Sequence, residues 1–249
     1  MIKLRKSQER GHAHHGWLDS HHTFSFAHYH DPRYMGYSVL RVINEDIIAP
    51  GRGFGMHPHN DMEIITYMLD GELRHEDSLG NGSVIGRGDV QRMTAGSGIV
   101  HSEYNASSTN PAHLLQIWIV PERVNLHPDY EDKRFDDSRK QGRWCLIASH
   151  DGRGGSLTVH QDIALYATLL EPGTSISYEM SPGRTLYVQI ARGNVCLSGT
   201  SKAEEVLLTG DAAMVEMEQI IHLQSKQASE VLVFDLPVSG AATSLAHTH

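Results

Sequence analysis

The sequence predicts an all-β protein, on three observations. Glycine turns recur along the chain, in "DGE" (70–72), "GNG" (80–82), "GRGD" (86–89), "GSG" (96–98), "EPGT" (171–174), "SPGR" (181–184), "RGN" (192–194) and "TGD" (209–211). Between them lie short runs rich in Val, Ile, Leu and Tyr, such as "MEIITYML" (62–69), "HLLQIWIV" (113–120), "TLYVQIA" (185–191) and "EVLVFDLP" (230–237). Helix signals are scarce, and "HPDYEDKRF" (127–135) is one short candidate. Many short strands separated by turn residues are the pattern of a β-sandwich or barrel.

Taken in order, "LDGEL" after the run at 62–69 reads as a two-residue hairpin. The segment 121–143, "PERVNLHPDYEDKRFDDSRKQGR", is polar and charge-dense and separates two runs of strands. It reads as a connection between two β domains, the first over 1–125 and the second over 126–238, with 126–143 as connector. The halves echo one another. "GRGDVQRMTAGSGIVH" in the first is answered by "LTGDAAMVEMEQIIHL" in the second, as in a duplicated barrel. The Ala/Ser/Thr-rich end, 239–249, has no apolar period and reads as a flexible tail or a remnant of expression, its His247 and His249 included.

A formal charge of −9 argues against general affinity for nucleic acid. No apolar run reaches about 18 residues, and the N-terminus lacks the apolar core of a signal peptide, so a cytoplasmic protein without membrane spans is expected. Two cysteines far apart, Cys145 and Cys196, do not make a disulfide framework.

Histidine stands out, with 18 residues. His12, His14, His15, His21, His22, His28 and His30 crowd the N-terminus. They read as packing and surface residues, since no acidic partner recurs among them at a matching spacing. The stretch "GRGFGMHPHNDMEII" (51–65) is different. Strand side chains alternate faces, so His57 and His59 point the same way. In "GIVHSEYN", His101 and Glu103 repeat the spacing. Two strands that each aim such a pair into a small barrel would bring three imidazoles and one carboxylate to a point. That donor set suits a divalent transition metal such as iron, nickel, copper, manganese or zinc. Pro58 has no N–H and places its strand at an edge or bulge. Glu63 competes with Glu103 for the fourth position if the chain turns at "ND"; otherwise it would steady a ligating imidazole through its other ring nitrogen.

The pattern Gly51-x5-His57-x-His59-x3-Glu63 is similar to the first signature of the cupin superfamily. "GDVQRMTAGSGIVHSE" (88–103) departs from the general second signature, with Thr94 where proline is usual and two extra residues before His101. Both departures resemble the pirin branch, as do "RGHAHHGWLDSHHTFSFAHYHDPRYMGYSVLRVINED" (10–46), "HPHNDMEIITYMLDGELRHEDSLGN" and "HLLQIWIVP". The resemblance runs to about residue 238 and is closest to bacterial pirin-like quercetin 2,3-dioxygenases. It implies a bicupin: two double-stranded β-helix (jelly-roll-like) barrels packed together. It implies one divalent metal in the first barrel on His57, His59, His101 and Glu103, iron first among the ions above, with Glu63 not a ligand. The second barrel, with only His222 where ligands would sit, would be metal-free and cover the first. The implied activity is O2-dependent cleavage of a flavonol with loss of carbon monoxide, Glu103 being the candidate base for the 3-hydroxyl proton. Phe24 and Phe26 are candidates for the mouth or for ordinary packing. The alternative is a metal-binding regulator that docks on a protein partner and senses redox state without turnover. A monomer is consistent with both.

Overall fold

The computed structural model describes residues 1–200 and 203–238; the expected tail at 239–249 lies outside the described residues. Numbered along the chain, the first strands are β1 (Ile2–Arg5), β2 (Gly11–His14), β3 (Leu18–His22), β4 (Leu40–Ile48), β5 (Gly53–His59) and β6 (Glu63–Asp70). They are followed by β7 (Glu72–Asp77), β8 (Gly82–Gly86), β9 (Asp89–Thr94), β10 (Ile99–Asn105), β11 (Ala112–Ile119) and β12 (Asp129–Arg134). After a single helical turn, α1 (Asp137–Lys140), come β13 (Cys145–Ser149), β14 (Leu157–Thr158), β15 (Ala164–Leu170), β16 (Ser175–Glu179) and β17 (Arg184–Arg192). The chain ends on β18 (Asn194–Ser198), β19 (Glu204–Leu208), β20 (Ala212–Val215), β21 (Ile220–Ser225) and β22 (Ser229–Pro237). No helix among the described residues is long and apolar enough to cross a membrane.

The strands form two all-β barrels, each from a seven-stranded and a four-stranded sheet. The first pairs β12-β9-β6-β11-β4-β3-β2 with β5-β10-β7-β8, and the second pairs β1-β20-β17-β22-β15-β13-β14 with β16-β21-β18-β19. The orders correspond strand for strand, so the duplication hinted at by the letters is plain in the topology. The two large sheets pack face to face, which explains why their central strands are apolar on both sides. In β22, Leu232, Phe234 and Leu236 join the core shared by the barrels, while Val231 and Val233 fill the second barrel. In β6, Ile65, Tyr67 and Leu69 face the shared core, leaving Ile64, Thr66 and Met68 to the interior of the first barrel.

Two expectations need correction. Residues 127–135 are not helical: Asp129–Arg134 form β12, which covers the edge of β9. Arg92 of β9 holds Asp129 at 2.8 Å and Glu131 at 3.3 Å, and the strand pairing satisfies backbone groups that a two-turn helix would leave open. "LDGEL" is not a hairpin, because β6 and β7 belong to different sheets. The chain crosses between sheets at Gly71, with φ of +72° and its Cα so close to Pro111 O that a Cβ would lie 2.4 Å away. Two strands pair across residues 125/126. β1 joins the second barrel through β20, and β12 joins the first through β9.

Candidate metal centre

β5 is an edge strand, as Pro58 requires, and pairs antiparallel with β10. His101 lies opposite His57, and the register then slips, so that Glu103 faces Phe54. Gly53 permits this close approach: a Cβ there would lie 2.2 Å from Glu103 O. The ring centroids of His57, His59 and His101 are 4.4, 4.8 and 4.9 Å apart pairwise. One nitrogen from each falls within 4.8 Å of the other two.

The hydrogen bonds fix which nitrogens face inward. His57 Nδ1–H donates to Gly55 O at 2.7 Å, which leaves Nε2 as a lone-pair donor. His101 Nδ1 meets His75 Nδ1 at 3.4 Å, and His75 Nε2 meets Asp77 Oδ2 at 3.1 Å. A carboxylate accepts only, so His75 carries its proton on Nε2 and accepts at Nδ1 from His101. His101 Nε2 is then a bare lone pair, buried without a partner among the described residues. Burial and the neighbouring imidazoles push the His101 pKa down to about 2, and burial pushes that of His59 down to about 4. Three crowded imidazoles, with those of His59 and His101 held neutral by burial and one lone pair orphaned, fit a divalent ion.

The same chain gives a prediction. Asn in place of Asp77 would present an N–H to His75, reverse its tautomer and move the His101 proton onto Nε2. Asp77→Asn is expected to weaken metal binding about 10- to 100-fold, measured by chelator competition on folded protein. Unchanged affinity would remove the relay.

Glu103 is 3% exposed and reaches across the barrel to the large sheet. Oε1 accepts from Gln91 Nε2 at 2.7 Å and Thr66 Oγ1 at 3.3 Å, and Oε2 accepts from Gln116 Nε2 at 2.8 Å. Burial raises its pKa to about 7 against the pull of these donors. One Glu103 oxygen, a His101 nitrogen and a His75 nitrogen lie within 4.8 Å of one another. The carboxylate therefore adjoins the imidazoles beside His101, tethered by three side chains.

A cavity of about 780 Å³ opens over this group. Trp17, Phe26, Phe54 and Trp118 wall it, with Trp118 edge-on to His59 at 5.0 Å. The volume is that of a site for a small organic molecule.

Comparison with known proteins agrees. Residues 3–119 match the Pirin family model, and residues 146–236 match the quercetinase C-terminal cupin domain. Over 237 residues the chain is 50% identical to the quercetin 2,3-dioxygenase of Escherichia coli, covering 95% of this chain and 99% of that one. The chain belongs to the pirin family. It superposes on the crystal structure of YhhW from E. coli with a TM-score of 0.90 at 48% identity, over 100% of both chains. Against bacterial pirin YhhW in complex with nickel(II), the TM-score is 0.89 at 49% identity, over 96% of this chain and 100% of that one.

Elsewhere in this pirin the sequence signals part from the geometry. Glu63 shares the parity of Ile65 and Tyr67 and so faces the second barrel, away from Thr66 and Glu103. It accepts from Thr94 Oγ1 at 3.1 Å and lies 3.3 Å from His160 Nδ1, and it steadies none of the three imidazoles. Steadying falls instead to Gly55 O and His75. His222 is exposed on β21 and bonded to Ser177 Oγ at 2.7 Å, while side chains such as Leu186, Val188, Leu197 and Leu223 fill the second barrel. Phe24 belongs to the shared core, and Phe26 lines the cavity. Missed altogether were His75, Asp77, Gln91, Gln116 and Asp46. "HED" at 75–77 held a signal, since it repeats the two-apart spacing on one strand face.

Asp46, 4% exposed on the cavity wall, accepts a hydrogen bond from Ser20 Oγ. Burial raises its pKa from 3.8 to about 6. A raised carboxyl contributes no penalty below the unfolded value, and stability is lost as pH rises through the folded value. Asp46→Asn is therefore expected to stabilise the pirin by roughly 1–3 kcal/mol near neutral pH and to leave it unchanged near pH 3.5. Thermal melts at both pH values would decide, and a gain of equal size at acid pH would contradict the assignment.

Proposed function

We propose that this pirin is a metal-dependent dioxygenase that cleaves flavonols such as quercetin, with the metal held by His57, His59, His101 and Glu103. The observation that carries the reading is the Nε2 of His101, without a hydrogen-bond partner among the described residues, beside the imidazoles of His57 and His59 that line an aromatic cavity. A bound divalent ion would supply a coordination position for a substrate oxygen and an electron path to O2. Iron is the first choice. Nickel is supported by the nickel(II) complex of YhhW, and the donor set accepts either.

The chain's own residues do the rest. Trp17, Phe26, Phe54 and Trp118 offer flat apolar surfaces to a planar aromatic ring system and exclude water around it. Glu103 accepts the proton of the flavonol 3-hydroxyl. Burial raises the Glu103 pKa in the metal-free protein, and a bound cation would draw it back down and keep the carboxylate ionised to accept that proton. Gln91, Gln116 and Thr66 hold both its oxygens in place, so the proton acceptor needs little reorganisation.

The test is aerobic incubation of quercetin with metal-stripped protein reloaded with each ion in turn, following loss of absorbance and release of carbon monoxide. Turnover that requires an ion supports the reading. Metal-loaded protein that leaves quercetin intact under every ion would overturn it in favour of a regulator that docks on a protein.

A further inference from the structure

The geometry points to a second divalent-metal site, on the outer face of the β2–β3 hairpin, formed by His12, Asp19 and His21. The expectation that the N-terminal histidines lack an acidic partner does not hold in space. β2 and β3 pair antiparallel with His12 opposite His21 and His14 opposite Asp19. Residues two apart share a face, so His12, His14, Asp19 and His21 all project to one side. Ala13, Leu18, Ser20 and His22 take the other side and line the cavity, whose rim the exposed His12 also reaches. The layout "HAH" across from "DSH" mirrors "HPH" across from "HSE" at the buried centre.

The distances fit one ion. Ligands about 2.1 Å from a metal stand roughly 3–3.5 Å from each other. His12 Nε2–H donates to Asp19 Oδ1 at 2.8 Å, a proton that an arriving ion would displace; His21 Nδ1 is 3.7 Å from the same oxygen, and one ligand atom from each of the three residues lies within 4.8 Å of the others. The two rings are stacked, with centroids 4.4 Å apart and planes 12° from parallel, so the exposed His12 ring must turn out of the stack to aim its lone pair at the point that His21 faces. His14 stands beside them as a further donor. The nearby cation Arg10 is held at 2.8 Å by Glu45, which also takes His113 at 3.0 Å. Two imidazoles and a carboxylate select zinc, nickel or copper(II) over calcium and magnesium, which take oxygen ligands. Because the donors are partly exposed and must lose rotamer freedom, this site binds more weakly than the buried one. An ion there ties the edge strand β2 to β3, and with them the cavity wall on the reverse side.

Nickel(II) titration of the metal-stripped full-length chain, read by calorimetry with metal analysis, tests this. Two ions are expected per chain, one tight and one weaker. His21→Ala and Asp19→Asn should each weaken the second by roughly tenfold or more and spare the first. His101→Ala should abolish the tight site and keep the weaker. A double change, His247→Ala with His249→Ala, should keep both and so exclude the tail. One ion in the unaltered chain, a second ion that survives both hairpin changes, or its loss on altering the tail would each overturn the site. None of these outcomes depends on flavonol turnover.

Discussion

Replacing His101 by alanine is expected to empty the buried centre and to take quercetin cleavage to background. His101 is 1% exposed, and its Nε2 lone pair has no hydrogen-bond partner among the described residues. No nearby group can substitute for it, because His75 already accepts at one nitrogen and donates to Asp77 from the other. Metal affinity should fall at least about 100-fold, beyond the usual effect of altering a residue that only supports a ligand. Some stability is lost as well, since His75 Nδ1 is left buried and unpaired, at about 1–3 kcal/mol. The measurement is ion content after dialysis together with carbon monoxide release. A folded His101→Ala protein that keeps the tight ion would show that the imidazoles of β5 and β10 do not act together.

The second large effect is on proton transfer. Glu103→Gln is expected to keep the fold and lower kcat by about 10²- to 10⁴-fold, the range for a lost general base. The substitution is nearly isosteric, but it places an N–H₂ where Gln91 or Gln116 now donates. One of those amides must turn over, so the network adjusts rather than breaks. The readouts are kcat, ion content and the pH profile. The unaltered protein should lose activity on acidification as Glu103 takes up a proton, and the variant should lack that limb. Full turnover with the ion retained would remove Glu103 as the base.

What the sequence disclosed and what it hid follow from the range of the signals. Glycine turns and β-rich runs are local, and they give the all-β class. His57, His59 and His101 were legible because period-two spacing survives into a strand wherever that strand lies. Glu63 was ambiguous for the reason that matters in this architecture: Asp61, at φ of +48°, turns the chain out of one sheet and into the other, so parity counted from His59 no longer applies. The misread hairpin at Gly71 has the same origin. The polar tethers of Glu103 come from β6, β9 and β11, up to 37 residues away in sequence. Asp19 escaped notice because its match to His12 exists only across a strand pair. Nothing in a linear string marks such partners before the sheet order is known.

The crossed outer strands have a bearing on how the molecule comes apart. β1 seals the flank of the C-terminal sheet and β12 that of the N-terminal one, so severing the chain near residue 125 strips both sheets of their guards at once. Each fragment would show a raw row of amide and carbonyl groups, a template for self-association. The pirin should accordingly melt in one cooperative step rather than module by module, and neither half should survive as a transplantable unit.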